Sequence, residues 1–360
     1  MRHPMPDRKT WLTNGIVAGL ASAVLFGMST PLAKVLLGSL SPLMLAGLLY
    51  AGSGVGLGLI IVVRRSSAQP SRQLAVPQPR EWGWLAGAIF FGGVLGPVLL
   101  MYGLTVTAAS TASLLLNLEG VLTALLAWFV FRENFDRRIA LGMVAIVAGG
   151  AVLAWSPGGK LEASHGLLLI VAACLCWAID NNFTRKVSSS DAMVIACSKG
   201  LVAAMVNVGL AMLAGHVLPT PTIALLAMLL GLLGYGLSLV LFVVALRHLG
   251  TARAGAYFSV APFFGAALAV AIQHEPVTMQ LGAAAILMGA GVWLHVTERH
   301  EHAHRHEAGE HDHPHVHDAH HRHEHAFPWD GNEPHRHPHR HDVLVHSHPH
   351  FPDVEHRHRH

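Results

Sequence analysis

The stretch "LLLNLEGVLTALLAWFVFRE", residues 114 to 133, sets an amide and a carboxylate inside what is otherwise hydrocarbon. Read as one helix from about residue 108 to 131, it would hold Glu119 roughly 17 Å from either surface of a bilayer, at about 1.5 Å rise per residue. A charge at that depth costs at least about 2.5–3.5 kcal/mol on insertion scales, so it normally faces a cavity or a partner.

The chain around this stretch supports the membrane reading. Of 360 residues, 52% are hydrophobic and only 12% charged, and the mean hydropathy is +0.45. That leaves too little polar surface to cover a water-soluble core of this size. The formal charge of +3 is unevenly spread: residues 300 to 360 hold six Arg against eleven Asp and Glu. Basic residues elsewhere flank apolar runs rather than forming one patch, so nucleic-acid binding is not implied. Cys174, Cys176 and Cys197 all fall in apolar runs, an odd number with no disulfide framework.

Ten apolar segments of bilayer length follow one another, at about 14–37, 42–63, 82–104, 108–131, 139–155, 165–186, 192–214, 222–246, 253–273 and 278–296. Fourteen Arg and Lys fall on one side of this layout: Arg2, Arg8 and Lys9; Arg64, Arg65, Arg72 and Arg80; Arg132, Arg137 and Arg138; Arg185 and Lys186; Arg247 and Arg253. The other side has Lys160, with Lys34 just inside the membrane. The positive-inside rule then makes both termini cytoplasmic, as an even number of crossings requires.

The halves repeat each other. "FGMSTPLAK" at 26–34 parallels "WAIDNNFTR" at 177–185, and Glu133, Gly142 and Gly149 parallel Glu275, Gly282 and Gly289 with the same glycine step. Each half has five segments, and an odd number makes the second enter from the opposite side. The predicted fold is therefore all-α and integral to the membrane: ten transmembrane helices as two inverted five-helix repeats, plus a disordered tail. Residues 1–13 form a cytoplasmic N-terminus, 14–155 the first repeat, 165–297 the second and 298–360 the tail.

These residues resemble the drug/metabolite transporter superfamily with two EamA-type domains, on the five-plus-five layout, "ALLAWFVFRE" with its glycines, and "APFFGAALAVAIQHE". The resemblance implies an inner-membrane carrier with a central cavity, exporting small metabolites, amino acids or drugs. Pro262 stands where such proteins often have proline, whereas its partner in the first half is Gly120.

Glu119 and Asp180 are the acids well inside the spans, and Glu119 is the first candidate for binding a substrate amine or relaying a proton. Asn117 is its candidate orienting neighbour. Asp180 and Lys199 share a depth on neighbouring spans and are predicted to pair. Asn181, Tyr102, Tyr235 and Tyr257 are further cavity candidates, whereas Trp11, Trp82, Trp84, Trp128, Trp155 and Trp293 read as an interfacial belt.

After Thr297 the composition changes. Residues 300–360 hold 22 His, and imidazole nitrogens bind zinc, nickel, cobalt or copper. The candidate ligands are His302, His304, His306, His311, His313, His315, His317, His320, His321, His323, His325, His335, His337, His339, His341, His346, His348 and His350. Few apolar residues and no helical period predict disorder there. No cofactor is required for the carrier itself; its expected partners are the bilayer and a small-molecule substrate, with a coupling proton and a second copy of the chain as open alternatives. The competing functions are a divalent-metal exporter and a metal-responsive membrane sensor. No nucleophile, base and orienting group assemble into an enzyme site, and no GxxxxGK[ST] loop is present for ATP.

Overall fold

A bilayer offers no partner to backbone N–H and C=O groups, so apolar segments of this length satisfy them internally as helices. The computed structural model of the chain describes residues 8–67, 78–131, 137–155, 164–187, 191–249 and 251–297, with four backbone segments beyond Thr297. In chain order the helices are α1 (Arg8–Leu36), α2 (Pro42–Ser67), α3 (Trp82–Ala88), α4 (Gly96–Val106), α5 (Ala109–Leu115), α6 (Leu118–Phe131), α7 (Arg137–Leu153), α8 (His165–Arg185), α9 (Ala192–Leu213), α10 (Pro221–Gly231), α11 (Ser238–Leu249), α12 (Thr251–Phe258), α13 (Ala261–Gln273) and α14 (Met279–Val296). Side chains start several of them: Ser164, Asp191 and Thr278 accept hydrogen bonds from amides in the first turns of α8, α9 and α14, satisfying donors a helix start leaves open.

Eight stretches among the described residues are long and apolar enough to cross a membrane: Thr13–Leu36, Pro42–Val63, Pro79–Val106, Ala109–Val130, His165–Arg185, Ala192–Leu213, Pro221–Leu246 and Ala254–Gln273. The remaining two of the ten expected segments are α7 and the shorter apolar helix α14, which pack on each other. Large apolar side chains face outward all around the bundle, Phe129 being 69% and Ile286 74% exposed. An apolar exterior of this extent suits lipid rather than water.

Contacts are exchanged between the halves as a repeat requires. α1 packs on α11 and α13, and α8 packs on α4 and α6. Corresponding breaks lie 142 residues apart: Asn117, between α5 and α6, matches Ser259, between α12 and α13. The continuous helix expected over 108–131 is thus interrupted at Leu116–Asn117, placing Glu119 in the first turn of α6. In the second half Pro262 enforces the break, having no N–H to continue the preceding turn. In the first half, with Gly120 at the matching position, Leu116 and Asn117 amides are satisfied instead by tight three-residue bonds to Ser113 and Leu114 carbonyls.

A second matched irregularity joins α3 to α4 and α10 to α11. Ile89–Leu95 and Leu232–Leu237 are π-helical, with an extra residue in the turn. The halves meet most closely where α2 passes α10: a methyl on Gly52 would stand 2.6 Å from Met228 Cα, and one on Gly231 2.6 Å from Leu49 Cα. Only glycine allows backbones this near.

Residues Arg299–His360 form a separate unit. Its described backbone is extended and antiparallel, pairing Glu301–His306 with Leu344–Pro349 and Gly309–His315 with His335–His341. The His-x-His alternation of these segments has the period of two that extended backbone shares.

Candidate functional site

A cavity of about 420 Å³ lies between the halves, lined by α1, α2, α8, α9, α11, α12 and the π-segment leading into α11. Its inner wall is aromatic. Tyr50 and Tyr235 stack with centroids 5.6 Å apart, and Phe26 lies 5.2 Å from Phe258 and 6.0 Å from Tyr235. Toward its mouth the lining turns polar with Asn181, Thr184, Arg185 and Lys199. Asn181 and Ala192 are exposed, so the mouth lies where α8 leads into α9.

The charge in this wall is arranged in two linked groups. Lys199 Nζ and Asp180 Oδ2 form an ion pair, with the lysine side chain 18% and the aspartate 7% exposed. Thr184 Oγ1 donates to the other aspartate oxygen at 3.0 Å. Asp180 fits because Gly92, in the first π-segment, lacks a side chain: a methyl there would stand 2.6 Å from Asp180 Cβ. The π-turn also releases carbonyls from the helical ladder. Gly92 O accepts from Tyr50 Oη at 2.7 Å and Trp177 Nε1 at 3.0 Å, and Gly93 O accepts from Asn207 Nδ2 at 3.2 Å.

The second group begins one residue further along α8. Asn181 Nδ2 donates to Glu119 Oε1 at 2.9 Å and to Thr123 Oγ1 at 3.3 Å. Asn181 lines the cavity, so it connects the carboxylate of Glu119 to the space a solute would fill. With all groups ionised the cluster of Glu119, Asp180 and Lys199 carries one net negative charge, which a proton or a cationic group would neutralise.

Several sequence-predicted residues meet here and others do not. Asn181, Lys199 and Tyr235 line the cavity, Asp180 holds Lys199, and Glu119 lies behind Asn181. Asn117 is buried elsewhere: its amide donates to Leu114 O at 2.9 Å and lies 3.9 Å from Met288 Sδ, so Asn181 is the orienting partner of Glu119. Tyr102 is 40% exposed on the outer face of α4, and Tyr257 packs beside Gly19 of α1. Sequence reasoning overlooked Tyr50 and Phe26 in the lining and Trp177 behind it, and counted Arg185 among the basic residues of one side although it lines the mouth.

The opposite end of the bundle is closed. Leu40, Met44, Leu45, Leu100, Leu104 and Leu115 form its buried cluster. Lys34 Nζ donates to Thr107 O, and Gln273 Nε2 to Pro31 O at 2.9 Å. Glu275 accepts from the Ala109 and Ser110 amides at 2.6 and 2.9 Å.

Among the described residues no three His, Cys, Asp or Glu side chains converge as a metal site. His317, His320, His321, His323, His325 and His350 lie outside the described residues. The strand register sets His302 opposite His348, His304 opposite His346, His311 opposite His339, His313 opposite His337 and His315 opposite His335.

A helical bundle with an apolar exterior and a charged, open-ended cavity between matched halves has the layout of a membrane transporter. The EamA-like transporter family model matches residues 13–155 and again 164–297, and the chain belongs to that family. It is 27% identical over 300 residues to an uncharacterized transporter of Methanothermobacter thermautotrophicus, covering 80% of this chain and 86% of that one. It is also 27% identical over 297 residues to a probable amino-acid metabolite efflux pump of Salmonella typhimurium, covering 77% and 93%. A protein of known crystal structure shares the fold with a TM-score of 0.56 at 19% identity, over 78% of this chain and 96% of that one.

Proposed function

We propose that this transporter is a secondary-active exporter of a small amino-acid-like metabolite, working by alternating access between two inverted repeats of five crossings each. The observation that carries the reading is a cavity lined by two basic side chains and by aromatic rings, with two carboxylates held directly behind its wall by Lys199 and Asn181. Arg185 and Lys199 offer positive charge for a carboxylate, Asp180 and Glu119 negative charge for an ammonium, and the Tyr50–Tyr235 wall an apolar surface for a side chain. The name of the Salmonella relative supports the same substrate class. With the basic loops inside, both termini are cytoplasmic in the inner membrane and the mouth faces the cytoplasm, where an exporter loads.

Glu119 is the group that exchanges a proton with the solute cycle, through Asn181 and the cavity. The test is flux of a radiolabelled amino-acid panel into proteoliposomes with and without a proton gradient. Glu119→Gln, expressed normally, should lose gradient-driven accumulation; full retention ends the assignment, and absence of any flux across the panel ends the carrier reading. Association as a homodimer is read from cross-linking in the same membranes.

A second reading keeps the 22 histidines in view: the tail binds zinc, nickel, cobalt or copper and makes export metal-responsive, or delivers metal for export. Deleting residues 298–360 should weaken divalent-metal binding and change metal tolerance of the host. Unchanged tolerance removes the tail's metal function, and metal flux in place of metabolite flux would favour the metal exporter.

A further inference from the structure

The closed end is held by groups unlike those of the core beneath it. Glu275, in the turn after α13, accepts from the first two amides of α5, Ala109 N at 2.6 Å and Ser110 N at 2.9 Å. This ties the second half to the first at the end of the bundle opposite the mouth. The opening amides of a helix have no partner inside it, and the helix dipole favours an anion there. Such charge-assisted bonds are strong while made. They are also readily exchanged: Glu275 is only partly buried, so on release water can satisfy both the carboxylate and the amides. A buried pair would instead leave an orphaned charge. The turn is shaped for the contact, since His274 closes α13 in the left-handed region at φ 54°, reversing the chain just before Glu275.

We propose that Glu275 is a gate residue of the transport cycle, whose carboxylate keeps the far end of the cavity shut and must leave the Ala109 and Ser110 amides for solute to pass. The proposal rests on the alternating-access reading. The repeat supports it with a counterpart at the other end. Lys34, which donates to Thr107 O beside Glu275, matches Arg185 at the 151-residue offset, and Thr107 matches Leu249 at the 142-residue offset. Arg185 lines the open mouth. When the mouth closes, the end of α11 at Leu249 presents it with carbonyls, as the end of α4 now does to Lys34.

The experiment uses the full chain with Cys174, Cys176 and Cys197 replaced by alanine and Ser53→Cys as a probe in the cavity wall. A membrane-impermeant maleimide is added to vesicles from the mouth side or from the Glu275 side. With Glu275 intact, labelling is fast from the mouth and slow from the other side. Glu275→Gln should raise labelling from the Glu275 side about tenfold, the size expected for losing a charge-assisted bond, and Glu275→Asp should fall between. Should Glu275→Gln fail to accumulate, Ala109→Pro removes one donor at a first helical position, where proline is tolerated, and is expected to raise the same labelling. Unchanged labelling from the Glu275 side, in variants labelled normally from the mouth, overturns the gate, even if their thermal stability falls as loss of a plain helix cap would cause. Labelling needs no solute, so this failure leaves the carrier reading standing, and an absence of flux leaves the labelling result standing.

Discussion

Gly92→Ala is the sharpest perturbation of the cavity. The added carbon would lie 2.6 Å from Asp180 Cβ, well inside the 3.4–4 Å of ordinary contact. Because Cβ is fixed to the backbone, a new rotamer cannot clear the clash; α8 must move, and Asp180 is drawn away from Lys199 with it. Overpacking costs about 1–3 kcal/mol, and stranding a buried partner of an ion pair about 3–5 kcal/mol. Lys199 is 18% exposed at the cavity wall, so water reduces the second figure toward its lower end, for a total of about 4–6 kcal/mol. Flux should fall at least about tenfold, a difference of 1.4 kcal/mol being enough. Denaturant unfolding of the solubilised protein and flux in proteoliposomes measure both. In a background of Asp180→Gly with Lys199→Met, which removes the clash and both charges, the same change should cost under about 1 kcal/mol. Equal cost in the two backgrounds would refute the account, as would unaltered unfolding and flux in the single variant.

Two further outcomes test the rest of the site. Asn117→Leu should leave flux within about twofold and stability within about 1 kcal/mol, since its amide serves Leu114 O and a single neutral hydrogen bond is worth about that much; a loss like that of Glu119→Gln would return Asn117 to the transport cluster. Tyr50→Phe and Trp177→Phe should each cost about 1 kcal/mol, and together more than their sum, because the second removes the last side-chain donor to Gly92 O and an orphaned buried carbonyl costs about 1–3 kcal/mol.

The membrane class and the doubled architecture were legible because both rest on long-range regularities, apolar length and a repeated glycine step. The Asp180–Lys199 pair was legible too, since depth along two neighbouring helices can be counted from residue numbers. Helix interruptions were less so. Pro262 announces the break in the second half, but the matching break at Leu116–Asn117 has no proline and is held by local carbonyl sharing. That shift in direction is why Asn117, two residues from Glu119, points to Met288 while Asn181, on a different helix, reaches the carboxylate. Tyr50 was missed for a related reason: a lone tyrosine among "LLYAGSG" reads as ordinary packing until a π-turn on another helix offers its hydroxyl a free carbonyl. Nothing in a period of 3.6 marks where a helix will widen, except glycines such as Gly92 and Gly93 that have many other uses.

The paired wide turns at Ile89–Leu95 and Leu232–Leu237 give each half the same helical irregularity at a corresponding position. A helix that already carries one surplus residue can swivel by handing that residue along its axis, without first tearing a regular rung. In the alternating-access cycle proposed above, two such joints, one in each half, would let one half flex as the other straightens, with the glycine seam at Gly52 and Gly231, where the backbones already touch, as the fulcrum.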